Sequence, residues 1–203
     1  MLVCTDGRKG TWDVDADTTA LVARRQDEQR DAAARLGITG EVRFLGVEDG
    51  ELANTVENRS AVARIIRELR PAVVLGHDPW RRWRMHPDHR NAGFLTVDAV
   101  VAARDPHYHR DHGIAHHRPD HLLLFECEEP DLAERIGEAH LEAKVQALLA
   151  HVSQFETTMK VDEDDDGTQA DAFRRRTRAE AVDAGRIAGV PLAEPFRLLD
   201  PAS

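Results

Sequence analysis

The chain has 203 residues and a formal net charge of −10, from 27 lysines and arginines against 37 aspartates and glutamates. Hydrophobic residues make up 41% of it and charged residues 32%, which is typical of a globular rather than a disordered protein. The acidic balance argues against a nucleic-acid-binding domain, and no apolar run approaches the roughly 20 residues of a membrane span. Two distant cysteines and an N-terminus without a secretory signal indicate a cytoplasmic protein.

Apolar runs alternate with helix-period stripes along the chain. The pattern predicts strands over Met1–Cys4, Val42–Leu45, Ala72–Gly76 and His121–Phe125. Helices are predicted between and after these strands, over Asp17–Leu36, Val56–Arg70, Asp88–Arg104 and Gln169–Ala188. A mostly helical segment over Leu132–His151, with a break near Gly137, and an acidic loop over Asp162–Gly167 come before the last helix. This alternation predicts an α/β fold with a mainly parallel sheet. The length predicts one domain over residues 1–203.

Polar residues follow four of the predicted strands directly. They are Thr5-Asp6-Gly7, Asp49-Gly50, His77-Asp78 and Glu126. In open α/β sheets the ligand crevice lies beyond the carboxyl ends of the strands, so these residues are predicted to face one rim. Ordinary turn chemistry places the same residue types after strands, and that alternative stays open.

The sharpest motif is His86-Pro87-Asp88-His89-Arg90, at the entry to a predicted helix. Histidines three residues apart lie on one side of a helical turn, and neutral imidazole is the commonest protein ligand of metals. The alternative is a plain helix start with Asp88 as the N-cap. The histidines between residues 107 and 121 are predicted to lie in a solvated, substrate-side loop, because no spacing among them fits a ligand pair anchored on a helix or strand.

With these motifs in order, the chain resembles the PIG-L/LmbE family of zinc-dependent N-acetylglucosamine deacetylases from Met1 to about Arg176. The resemblance implies a Rossmann-like, three-layer α/β/α fold. The segments that carry it are CTDGRKGTW at 4–12, Arg25 and Glu28 ahead of AARLG at 33–37, FLGVEDGEL at 44–52, RPAVVLGHDPW at 70–80, HPDHRNAG at 86–93, Lys144 with HVSQ at 151–154, and Ala172-Phe173-Arg174.

The resemblance also implies the site. His89 is expected to be a Zn²⁺ ligand, His86 a catalytic group near the tetrahedral intermediate, and Asp88 the residue that orients His86. Arg25 and Asp49 match substrate-binding positions near the sugar hydroxyls. Two plainer interpretations stay open, a surface ion pair between Arg25 and Glu28 and an ordinary Asp49-Gly50 turn.

One family motif is absent from these residues. The His-Pro-Asp-Asp-Glu type segment that supplies the other zinc ligands and the general base has no counterpart, since the only His-Pro-Asp here is at 86–88. We therefore expect an N-terminally truncated domain lacking its first strand and helix, inactive by itself and with weak zinc binding or none. The expected partner is a small amino-sugar conjugate, with no nucleic acid and no membrane span, and a homo-oligomer is possible. The alternative is a non-catalytic protein that binds a glycoconjugate or a partner chain.

Overall fold

The computed structural model describes residues 1–162 and 164–202, so that Glu163 of the predicted acidic loop lies outside the described residues. Eleven main elements follow one another along this part of the chain: β1 Leu2–Thr5, α1 Thr18–Arg35, β2 Arg43–Val47, α2 Val56–Leu69, β3 Val73–His77, α3 Pro87–Arg104, β4 His121–Phe125, β5 Leu132–Arg135, α4 Glu138–Leu148, α5 Thr168–Ala188 and β6 Ala193–Leu199. The mixed α/β class predicted from the sequence is confirmed.

The chain divides into two compact units. The first contains Met1–Asp49 and Glu134–Glu194, and the second contains Gly50–Ala133 and Pro195–Ser203. The division falls within β5 and β6.

In the first unit, β1 and β2 pair in parallel, with Val3 opposite Phe44. Helix α1 starts where the Asp17 carboxylate accepts hydrogen bonds from two backbone N–H groups of the first turn, as an N-cap does. It stops before Gly37, whose φ of +73° suits glycine better than any other residue. Helix α1 buries Ala32 against Ala147 and Ala150, at the end of α4, and these small side chains allow close approach.

In the second unit, β3 and β4 pair in parallel and in register, with His77 opposite Phe125. Strand β4 pairs in an antiparallel manner with β6, and the strand order of this sheet is β3-β4-β6-β5. Helix α3 approaches the end of β3 closely at Gly93, where an added Cβ would stand 2.7 Å from the His77 carbonyl oxygen. Glycine at this position therefore brings the first turns of α3 to the carboxyl end of β3.

Two strands differ from the sequence prediction. Residues 132–135 form β5, where the pattern predicts helix, and the helix begins only after the predicted break at Gly137. Strand β6 lies where the sequence pattern predicts no element, and it contains Pro195, a residue that is disfavoured within strands. The structure resolves this: the pairing with β4 covers Leu198 and its neighbours, beyond the proline.

The two faces of strand β3 differ in their exposure to solvent. Val73 is 40% exposed and Leu75 is 55% exposed, whereas Gly76 is buried against Thr96 of α3. Alternate side chains of a strand point to opposite faces, so one face of β3 contacts α3 and the other is open.

Arg67 of α2 organises the segment that follows α3. Its side chain is 2% exposed, and its guanidinium donates to five backbone carbonyl oxygens. These belong to Ala102, Ala103, Asp105, Tyr108 and His109. The next turn contains His112, which is 8% exposed and bonds to Ser60 through Nε2. The prediction of a solvated loop is therefore wrong for His112, because an arginine on a neighbouring helix draws this segment inward.

Over the residues described, no helix has both the length and the apolar character that crossing a bilayer requires.

Candidate active site

The carboxyl ends of β3 and β4 place an imidazole and a carboxylate side by side in the second unit. His77 ends β3 and Glu126 follows β4, and the in-register pairing of the two strands brings Nδ1 of His77 to 3.0 Å from Oε2 of Glu126. Hydrogen bonds from His77 and then from Arg84 lower the pKa of Glu126 to about 2, against the opposing effect of burial. Glu126 is thus a carboxylate at any physiological pH.

The first turn of α3 carries the predicted catalytic histidine and aspartate. His86 is the N-cap residue and is exposed. Asp88 is 5% exposed, and its carboxylate accepts hydrogen bonds from the backbone N–H groups of Gly50 at 2.7 Å and Leu52 at 3.2 Å. Asp88 therefore fixes the segment after Gly50 against α3, and its expected role in orienting His86 stays a prediction.

His89 lies in the first turn of α3, and its ring is close to those of His86 and His77. The ring centroids are 5.0 Å from His86 and 4.6 Å from His77. Burial, and then the neighbouring His77 and Arg84, lower the pKa of His89 to about 4. The imidazole is therefore neutral at pH 7, which is the form that ligates a metal ion.

Arg84 connects these groups. Its Nη1 lies 2.5 Å from Nδ1 of His89, and its Nη2 donates to Oε2 of Glu126 at 2.5 Å. One guanidinium thus contacts both the predicted metal ligand and the carboxylate after β4.

The side chains around His89 fit a zinc ion in kind. Ligand atoms of His77, His89 and Glu126 all lie within 4.8 Å of one another. Two imidazoles and one carboxylate are a donor set found in catalytic zinc sites. A second group, His109, Asp111 and His112, is equally close, but Ser60 already contacts one ring nitrogen of His112 and Arg67 the other.

In the first unit, the predicted substrate residue Asp49 belongs to a network centred on Asp6. The Asp6 carboxylate accepts hydrogen bonds from the backbone N–H of Asp49 at 3.1 Å and from the backbone N–H and side chain of Arg8 at 3.1 and 2.7 Å. Burial raises the pKa of Asp6, but these donors outweigh it and hold the pKa below its usual value. The Asp49 carboxylate in turn accepts from the backbone N–H of Lys9 at 3.2 Å. The Thr5-Asp6-Gly7 turn therefore sets the position of Asp49.

Arg25, the other predicted substrate residue, holds the same turn from α1. Its two terminal nitrogens donate to the carbonyl oxygens of Gly7 at 2.6 Å and Gly10 at 2.9 Å. Its Nε is buried without a partner among the described residues. Burial lowers the pKa of Arg25, and the nearby carboxylates of Asp49 and Glu28 oppose this. Both terminal nitrogens of the guanidinium therefore bond to backbone carbonyl oxygens. A sugar-binding role for Arg25 stays a prediction.

Glu28 does not form the surface ion pair with Arg25 that the sequence left open. Its carboxylate accepts hydrogen bonds from Arg24 at 3.0 Å and from the backbone and hydroxyl of Ser153 at 2.9 and 2.6 Å. Beside it lies a cavity of about 570 Å³ within the first unit, whose lining includes Asp13, Arg24 and Phe155.

Sequence reasoning identified His89 but not its neighbours His77, Arg84 and Glu126 as one group. A signal was present, because His77 and Glu126 each follow a predicted strand. Adjacent parallel pairing of those two strands would have brought them together. Arg84 lies in the irregular segment between β3 and α3, and no periodicity predicts where its side chain points.

Comparison with known proteins agrees with the fold and the motifs. The chain has a mixed α/β fold with a cluster of histidines and a carboxylate beyond two parallel strands. Its residues 1–100 match the model of the PIG-L family, which is described as GlcNAc-PI de-N-acetylase. Residues 1–100 therefore belong to a PIG-L family domain, and the resemblance predicted from the motifs is confirmed.

Two curated relatives are named deacetylases. The chain is 35% identical over 157 residues to diacetylchitobiose deacetylase of Thermococcus kodakarensis, covering 76% of this chain and 58% of the relative. It is 32% identical over 139 residues to 1D-myo-inositol 2-acetamido-2-deoxy-alpha-D-glucopyranoside deacetylase 1 of Frankia casuarinae, covering 56% and 44%. The chain thus spans about half the length of these relatives.

A solved structure extends the likeness across the whole chain. N,N'-diacetylchitobiose deacetylase from Pyrococcus horikoshii, solved with an inhibitor, matches with a TM-score of 0.84 and 27% identity over 99% of this chain and 72% of that one. The similarity of fold therefore reaches well beyond residue 100.

Proposed function

We propose that this chain carries part of the active site of a zinc-dependent N-deacetylase, which hydrolyses the acetamide of an N-acetylated amino-sugar conjugate. The observation that carries the proposal is the pair formed by His86, the exposed N-cap of α3, and His89 in its first turn, whose ring centroids are 5.0 Å apart. The names of both curated relatives support the same reaction.

In this proposal His89 holds the metal through a ring nitrogen. The ion, when bound, polarises the amide carbonyl and lowers the pKa of a bound water. His86 stands one turn away, where its imidazole can donate a hydrogen bond to the developing oxyanion or give a proton to the leaving amine. The N-terminus of α3 adds a partial positive charge that favours the same oxyanion. Asp88 keeps this turn in place through its bonds to Gly50 and Leu52.

Within the first unit, Asp49 and Arg25 stay the residues predicted to bind the sugar hydroxyls. Asp49 offers carboxylate oxygens that can accept from hydroxyl groups, and Arg25 and Asp6 keep its turn rigid. Because the His-Pro-Asp-Asp-Glu type motif has no counterpart in residues 1–203, we also propose that this chain by itself does not deacetylate. The three-layer Rossmann-like arrangement, the single truncated domain and the cytoplasmic location stay predictions.

A second candidate is a non-catalytic protein that binds an amino-sugar conjugate. It is favoured by Arg84, whose guanidinium lies on the ring nitrogen of the predicted metal ligand.

The experiment compares the 203-residue chain with the same chain extended by its in-frame upstream codons. Each is incubated with N-acetylglucosamine conjugates, with and without a zinc chelator, and release of acetate and of the free amine is measured. The proposal expects activity in the extended form that disappears with the chelator and returns with Zn²⁺. Activity that survives complete removal of metal contradicts the zinc mechanism, and sugar binding without turnover in either form supports the second candidate.

A further inference from the structure

We propose that Trp83 binds the group to which the acetylated sugar is attached, and that this group is a second ring stacked on the exposed indole. Trp83 thereby selects conjugates of at least two rings over the single amino sugar. The inference rests on the proposed function for the position of the acetylated sugar. Its test measures binding, so that it does not depend on turnover.

The segment between β3 and α3, which carries Trp83, is held against α3. The backbone N–H of Trp80 donates to the Asp78 carboxylate at 2.9 Å. The Trp80 ring stands edge-on to Phe94 of α3, with the ring centroids 6.1 Å apart and the planes at 84°. Arg90 of α3 donates to the carbonyl oxygen of Met85 at 2.9 Å. The backbone of this segment is therefore fixed near both of its ends.

Two large apolar side chains of this fixed segment extend into solvent. Trp83 is 86% exposed and Met85 is 89% exposed. Arg84 lies between them and is anchored by its side chain to Glu126 at 2.5 Å and by its carbonyl oxygen to Arg90. The two apolar side chains are thus exposed although the backbone that carries them is held.

The backbone of Trp83 has an unusual conformation. Its φ of +64° lies in the left-handed region, which bulky residues rarely adopt. Such a conformation persists only where the surrounding structure maintains it, and residues of this kind are concentrated at ligand-binding sites. The direction of the indole is therefore set by the contacts of the segment on either side.

An exposed and rigidly placed indole suits a ring as its ligand. Its flat apolar face can cover the C–H face of a sugar, and its N–H can donate to a hydroxyl group. An aromatic side chain also loses little conformational entropy when a ligand binds. Met85 adds an adaptable apolar contact beside it, and the exposed Arg82 offers donors for ring hydroxyls.

This surface adjoins the proposed catalytic turn. His86 is the exposed N-cap of α3, and Trp83 precedes it by three residues. Their Cα atoms are therefore at most about 11 Å apart, because a fully extended chain spans no more than about 3.6 Å per residue. An acetamide held at His86 thus leaves the rest of its conjugate within reach of the indole.

The test measures the affinity of the 203-residue chain for N-acetylglucosamine and for its disaccharide by ligand-observed NMR. The wild type should bind the disaccharide about tenfold more tightly, because only the disaccharide brings a second ring to Trp83. Trp83→Ala should lose this preference, and Trp83→Tyr should keep most of it because tyrosine also offers an aromatic face.

Leu69→Ala is the matched control for the loss of an exposed apolar side chain in the same unit. Leu69 is 56% exposed at the end of α2, which leads into the amino end of β3, whereas the proposed site is at the carboxyl end. This variant should bind both sugars as the wild type does.

Tryptophan fluorescence locates the bound ring. The disaccharide should shift the emission of the wild type to shorter wavelength, because it covers the indole of Trp83. Trp83→Tyr should abolish this shift while it keeps most of the affinity. A shift that remains in Trp83→Tyr would place the second ring elsewhere and overturn the inference.

Kinetics separate this inference from the proposed function. In the form of the protein that deacetylates, Trp83→Ala should raise the KM for the disaccharide several-fold more than that for the monosaccharide, with little change in kcat. The inference is overturned if the wild type binds the two sugars equally, or if Trp83→Ala, folded as judged by circular dichroism, keeps the wild-type preference. The expected binding in a protein that releases no acetate would count against the proposed function alone.

Discussion

The two units hold their polar groups in different ways. In the first unit, Arg25 and Asp6 direct their charges mostly at backbone carbonyl and N–H groups of one turn. In the second unit, His77, Arg84 and Glu126 bond to one another and to His89, side chain to side chain. Charges that bind backbone fix the shape of a loop, whereas charges that bind titratable side chains can be exchanged for a ligand or a proton. The first arrangement therefore favours recognition and the second favours chemistry.

The largest expected effect tests the chemistry assigned to the second unit. In the form of the protein that deacetylates, His86→Ala should keep its zinc and lose about 100-fold or more in kcat, because it removes a group that stabilises the oxyanion. His89→Ala should lose the zinc itself. Metal analysis beside single-turnover kinetics decides the matter, and equal loss of zinc in both variants would reverse our assignment of the two histidines.

The next largest effect concerns the stability that Arg25 gives to the turn it holds in the first unit. Arg25→Met should lower the free energy of unfolding by about 3 kcal/mol, because it leaves the carbonyl oxygens of Gly7 and Gly10 without their donors. Arg25→Lys can restore one of the two bonds and should fall between the variant and the wild type. Urea denaturation measures both. If Arg25→Met is as stable as the wild type, the guanidinium does not hold the turn and a direct role with substrate gains weight.

Asp6 gives a smaller effect in the same turn. Its side chain is 7% exposed and accepts three hydrogen bonds, so Asp6→Asn should cost about 2 kcal/mol at pH 7. Since the folded pKa of Asp6 is lowered, its contribution is present above the usual carboxyl pKa and disappears as the pH falls through the folded value. Thermal melts at pH 7 and in acid should therefore show the cost of the substitution shrinking at low pH. A cost independent of pH would mean that the carboxylate charge plays no part.

The smallest expected effect is a pH dependence of folding stability that comes from His89 in the second unit. The pKa of His89 is about 4 when folded, against 6.5 for a free histidine, so the unfolded chain binds more protons between these values. Stability should therefore fall as the pH drops from 6.5 to 4, by on the order of 1 kcal/mol once partial exposure of the ring is allowed for. Metal-free His89→Asn should lose this dependence, while His107→Gln, at an exposed histidine, should retain it. A profile unchanged in His89→Asn would contradict the neutral imidazole.

Much of the architecture could be read from the sequence because local signals agreed with packing. Asp17 and Gly37 mark the ends of α1, and an apolar run marks β4. Strand β6 escaped notice because its pairing with β4 depends on partners some 75 positions away, while its own proline argued locally against a strand.

The site was predictable in part for the same reason. His86 and His89 are found by their spacing on a helix, which is a local property. The contact between His77 and Glu126 depends on which strands are neighbours, and Arg84 joins them through a flexible side chain in an irregular segment. Residues that share a local spacing are thus easier to predict as part of a site than side chains that reach it from a distant strand or an irregular segment.

Arg67 has a consequence for how this protein responds to ionic strength. Ion pairs at the surface, such as that of Arg178 with Glu138, weaken as salt screens them. Arg67 is 2% exposed and is bound by five carbonyl dipoles, a place that counterions do not reach. In a chain of net charge −10, we therefore expect the segment that follows α3 to keep its conformation in dilute buffer and in concentrated salt alike.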